Sequence, residues 1–181
     1  MASFDELLDF DKVIDDIEAA FSWDQIPLHL RSYQVAVGLD EEHCACQLFQ
    51  MPWRSLPNEI LLKNEGCFVY LDDERLYYVF PAFLRAFVFF LRNAGSSWGG
   101  LQKQIHHALK WPGERPLSER FNQHQKNVIL ASLHAELKLM EWPWFNSTVD
   151  QESEARSLVN LLELAGWGLP PREPLGFAEN G

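Results

Sequence analysis

Positive charge is what this chain has least of. It carries 15 Lys and Arg against 26 Asp and Glu, a formal net charge of -11 with His neutral. Nucleic acids and anionic membranes are polyanions that need Lys and Arg to neutralise them, so this balance argues against both and favours a basic protein as partner. An uninterrupted apolar run is missing too. The most apolar stretch, residues 68–92, is broken by Pro81 and Arg85, and Leu76 to Leu91 is shorter than the roughly 20 residues that a spanning helix needs. Arg85 alone would cost roughly 2.5 kcal/mol or more at a bilayer centre. Three cysteines cannot all pair within one chain, and the N-terminus has neither the basic nor the apolar region of a secretory signal. These features predict a cytoplasmic protein with reduced thiols. There is no internal repeat, and no nucleotide or cofactor signature.

Apolar and aromatic residues are plentiful. Hydrophobic residues make up 47% of the chain, with 13 Phe and 7 Trp, enough for one domain that buries about 70% of its unfolded surface. The pattern predicts a mainly α, compact single-domain helical bundle over residues 1–166, with room for one or two short strands between residues 30 and 71. An extended tail rich in Pro and Gly would follow at 167–181.

In the central segment Leu76, Phe80, Phe83, Leu84, Phe87 and Leu91 fall on one helical stripe. Most other positions there are also apolar, which marks a helix surrounded by other elements. Asp72 or Asp73 would cap its start. Pro81 withholds a donor from the carbonyl of Tyr77, predicting a kink or two helices meeting at Phe80. Arg85 needs an acceptor, either a carboxylate from elsewhere in the fold or an anionic ligand.

Ser3 and Glu6 form a capping box, and Phe10, Val13, Ile14, Ile17, Ala20 and Phe21 give a first helix its apolar stripe. Residues 26–67 are divided by Pro27, Pro52 and Pro57, and YQVAV at 33–37 reads as strand or helix. NAGSSWGG at 93–100 predicts a loop before a short helix carrying Leu101, Ile105, Ala108 and Leu109. Asn122 with Gln125 opens a longer helix with Ile129, Leu130, Leu133, Leu137 and Met140 on its stripe. A last helix starts near Asp150, carries Leu158, Leu161, Leu162 and Ala165, and closes at Gly166.

Chemical signatures are sparse. His43, Cys44, Cys46 and Cys67 supply ligands enough in number for a zinc site, though at spacings unlike the common fingers, and buried cysteines explain them more simply. Gly95-Ser96-Ser97-Trp98-Gly99 matches the G-x-S-x-G of a nucleophile elbow, but the residues before it read as helix rather than strand. His106, His107, His124 and His134 have no i, i+4 partner among themselves.

Residues 1–25 hold Asp5, Glu6, Asp9, Asp11, Asp15, Asp16, Glu18 and Asp24 against Lys12 alone, -7 of the total. Asp11, Asp15 and Glu18 share the face opposite the apolar stripe. Like charges at this spacing cost a helix about 0.2–0.5 kcal/mol per pair, a cost that a cationic partner would reverse. A solvated face explains the same pattern. With aromatic loops around Trp53, Trp142 and Trp144, the acidic face suggests an inhibitor or immunity-like interaction protein rather than an enzyme. The alternative is a zinc-binding or metal-dependent enzyme using His43, Cys44, Cys46 and Cys67.

In order along the chain, IEAAF (17–21), LDEEHCACQLF (39–49) with PWRSLP (52–57), FVYLDDERLYYVFPAFLRAF (68–87) and FNQHQKNVILASL (121–133) resemble a bacterial family of small proteins of unknown function. The family pattern has an acidic pair upstream of a Trp, a Tyr-Tyr-Leu-Pro-Ala-Phe block, and a final helix led by Gln. Here Val79-Phe80 stands where that block has Leu before Pro81. The resemblance spans most of residues 14–140 and implies a compact, mainly helical fold. It brings no activity, cofactor or catalytic residue.

Overall fold

A computed structural model describes residues 9–23, 25–31, 47–93, 98–110, 117–141 and 148–167. The elements, in chain order, are α1 (Phe10–Ala20), α2 (Leu28–Arg31), a 3-10 turn (Trp53–Ser55), α3 (Asn58–Lys63), a second 3-10 turn (Cys67–Tyr70), α4 (Asp73–Arg92), α5 (Trp98–Lys110), α6 (Leu117–Arg120), α7 (Gln123–Met140) and α8 (Val149–Leu164). The fold is mainly α, and no strand occurs among the described residues. The expected strands find no place in the described part of 30–71, because Pro52 and Pro57 each sit at the cap of a helical turn. That position suits a residue that has no N–H to donate. YQVAV at 33–37 lies outside the described residues, as do the Ser3–Glu6 box and residues 168–181.

α4 is the axis. Asp72 caps it, its side chain accepting from the Arg75 backbone, and the helix runs unbroken through Pro81, so the two-helix alternative does not occur. Twelve of its residues are buried, which is why a proline survives there: packing on all sides holds the local geometry that Pro81 alone would break. The indole of Trp23 donates to the Tyr78 carbonyl, one residue from the carbonyl that Pro81 leaves without its usual donor.

α1 packs against α4 and α7, α5 against α4, and α8 against α7. α7 begins with the expected capping box, Asn122 and Gln125 each accepting from the other's backbone. It is buried over more of its circumference than its apolar stripe predicts, with Ser132 and Glu136 inside and Leu137 only half-buried. Phe121 sits at the meeting point of these elements, edge-on to Phe21 and Trp167 and tilted against Tyr77 and Phe80.

One boundary differs from the sequence pattern. α5 starts at Trp98, so Trp98, Gly99 and Gly100 belong to helix rather than loop. A Cβ on Gly100 would lie within 3 Å of the Glu65 carboxylate, which therefore occupies the first turn of α5, where the helix dipole favours an anion. α8 begins at Val149, near Asp150 as the pattern predicts, behind a Thr148–Gln151 box. It ends in a Schellman motif: Gly166 has φ +80°, its N–H donates to Glu163, and the N–H of Trp167 donates to Leu162. This turn carries Trp167 into the core, where Lys126 lies over its ring. The first residue assigned to the tail thus packs with the bundle.

Candidate functional site

The PWRSLP segment (52–57) lies between α2 and α3 in the chain and bridges α1 and α4 in space through Arg54 and Arg85. Trp53 is fully buried and its indole donates to the Trp23 carbonyl at 2.8 Å. As a core anchor it cannot be the exposed contact its loop position suggests, because an aromatic at 0% exposure offers no surface to a partner. Arg54 donates to the carbonyls of Glu18 and Phe21 at the C-terminal end of α1, where a cation complements the helix dipole.

Arg85 meets the acceptors its position demands. Its guanidinium donates to the carbonyls of Arg54 at 2.6 Å and Leu56 at 2.8 Å, and lies 3.6 Å from Glu18 Oε1. It also sits over the Trp53 ring. Burial pulls its pKa below the usual arginine value, and the Glu18 carboxylate works against that shift. Two helical turns further along α4, Arg92 pairs with Asp11. The pairs run in antiparallel order: 11 and 18 on α1 face 92 and 85 on α4.

Two of the three carboxylates on the acidic face are therefore engaged within the fold. Asp15 lies between them, exposed and without an ion pair among the described residues. Asp16 is held by Lys12 at 2.7 Å, which raises the pKa of Lys12, chiefly through that hydrogen bond.

A second constellation lies between α5 and α7. Gln102, His106 and Glu136 are all but completely buried. Gln102 Nε2 donates to one oxygen of Glu136, and His106 Nε2 lies within hydrogen-bond distance of the other, at 3.1 Å. Among the described residues His106 Nδ1 has no hydrogen-bond partner. Sequence pattern missed this cluster because a glutamate between Ala135 and Leu137 reads as a solvent position. The only available signal was the i, i+4 spacing of Gln102 and His106 on the apolar edge of α5.

Other candidates are scattered. His134 bonds Glu163 on an exposed face, and His107 and His124 are exposed. His43, Cys44, Cys46, Ser97, Trp142 and Trp144 lie outside the described residues, and Cys67 is buried. Among the described residues no group of three His, Cys, Asp or Glu side chains is placed to hold a metal, and no helix is long and apolar enough to cross a membrane. Compared with models of protein families, with curated proteins and with solved structures, the chain matches none.

Proposed function

We propose that this is a cytoplasmic, acidic protein-interaction module of the inhibitor or immunity type, whose partner is a basic protein rather than a nucleic acid. The observation that carries the reading is the unneutralised charge: the chain has a net charge of -11, and Asp15 stands exposed at the middle of α1 between two carboxylates already held by α4. Such a surface accelerates encounter with a cationic partner and repels polyanions. The bacterial family that the sequence resembles is compatible with this role and assigns no other.

The geometry also selects the variant that tests the idea. Reversing Asp11 or Glu18 would place a cation against Arg92 or Arg85 and damage the fold, whereas Asp15→Lys leaves both pairs intact. Affinity capture from native lysate with the wild-type chain should recover a basic protein in stoichiometric amount. The Asp15→Lys chain, and the wild type at about 1 M salt where the Debye length falls to about 3 Å, should recover markedly less. Equal recovery in all three would refute the reading.

The metal-dependent alternative keeps His43, Cys44, Cys46 and Cys67 as its ligands. Its test is zinc content after purification without chelator, where less than a stoichiometric amount removes it.

A further inference from the structure

The seam between α1 and α4 holds more than its ion pairs. Asp11 with Arg92 and Glu18 with Arg85 lie two turns apart on each helix, and the helices run antiparallel. Asp15 follows Asp11 by one turn and Phe89 follows Arg85 by one turn, so each returns to the face that carries the pairs. At about 1.5 Å of rise per residue, the two come level along the seam to within roughly one residue. Phe89 is the most exposed apolar side chain of α4, at 38%, on a helix that buries Phe80, Phe83 and Phe87 completely. Phe90 stands at 87° to it with 5.4 Å between ring centroids, which limits how far the ring can turn.

The neighbouring cations are committed elsewhere. Arg85 is held by the Arg54 and Leu56 carbonyls as well as Glu18, Arg92 by Asp11, and Lys12 by Asp16. The middle of the seam is thus left with an exposed carboxylate on one helix and an exposed ring on the other, between two levels that are already paired. A single exposed phenylalanine is ordinary. One standing level with an unpaired carboxylate defines a chemistry, because both groups attract a cation, the carboxylate by its charge and the ring by its quadrupole. A guanidinium serves both at once, since its plane stacks on a ring while its edge donates to an oxygen. An ammonium is a strongly hydrated point charge and gains less from the ring.

We propose that Asp15 and Phe89 form the docking point for an arginine side chain of the basic partner, its guanidinium paired with the carboxylate and stacked on the ring. This inference rests on the partner reading and adds to it the residue type that enters and the apolar side chain that receives it.

Titration of hexa-arginine and hexa-lysine peptides into the isotope-labelled full chain at low salt, followed by NMR, tests it. The arginine peptide should move the Asp15 carboxyl and Phe89 ring resonances together and bind about two- to fivefold more tightly than the lysine peptide. Phe89→Leu, which keeps the net charge of -11, should erase that preference and leave the affinity for the lysine peptide unchanged. If the arginine peptide binds without moving the Phe89 ring, or if Phe89→Leu retains the preference, the docking point is wrong while the partner reading stands, since charge alone then accounts for binding. If neither peptide binds, the partner reading falls and the docking point falls with it. The wild-type ring resonances decide the matter even if Phe89→Leu does not fold.

Discussion

At the residue scale the most consequential side chain is Arg85. Its guanidinium fork spans two carbonyls of the 52–57 segment, and the carboxylate that accompanies it is partly open to water. These contacts are unequal. Arg85→Met keeps the stem but leaves the Arg54 and Leu56 carbonyls without their donor, and should destabilise by about 2–4 kcal/mol. Glu18→Gln removes a charge held at 3.6 Å on a side chain 42% exposed, and should cost no more than about 1 kcal/mol. Urea unfolding of the two variants checks the order. A larger loss for Glu18→Gln would show that the ion pair, not the carbonyl bonds, anchors Arg85. Gly100 poses a similar question of competing terms. An alanine there gains helix propensity, up to about 1 kcal/mol, but forces the Glu65 carboxylate away from the first turn of α5. Gly100→Ala should thus be nearly neutral in wild type and stabilising by up to about 1 kcal/mol beside Glu65→Ala. A double-mutant cycle measures the difference, and additive effects would mean that Glu65 contributes nothing to the start of α5.

At the element scale, what was legible followed from local rules. The Asp72 cap, the α4 stripe, the Asn122–Gln125 box and the stop at Gly166 each depend on residues within a few positions of one another, so spacing alone exposes them. The unread features depend on elements far apart in sequence. Spacing shows that Arg85 needs an acceptor but cannot show that it is Glu18 on α1, nor that Arg92 takes Asp11. It cannot show that Glu65 shapes the start of α5. Glu136 is the clearest instance. Its neighbours on α7 fit an amphipathic helix with that position outside, and only the placement of Gln102 and His106 on a different helix makes its burial tolerable. The acidic face was legible as charge but not as architecture, because half of its meaning is the antiparallel order of two arginines on α4.

At the scale of the whole molecule, α4 touches α1, α5 and α7, so ionising a group inside it acts on the entire bundle. Tyr77 and Tyr78 sit in that helix and both titrate above the ordinary phenol value of 10.0. Burial is the main cause for each. Gln125 and Arg120 oppose it at Tyr77, and the Trp53 backbone and Arg31 oppose it at Tyr78. Between the ordinary and the raised value, the unfolded chain has already lost protons that the folded chain retains. Fewer protons on the unfolded state means that stability falls as pH rises. The stabilisation is complete below the ordinary value and is lost as pH climbs through the raised ones. Urea midpoints should therefore hold steady towards about pH 9 and decline above about pH 10, the range in which an unperturbed phenol ionises. Tyr78→Phe should make that decline shallower. The Tyr78 hydroxyl is buried and, among the described residues, makes no hydrogen bond of ordinary geometry, so its removal should cost little at neutral pH. If the decline keeps its slope in both Tyr77→Phe and Tyr78→Phe, the alkaline limit of this fold is set elsewhere, and the tyrosines before Pro81 are no more than packing.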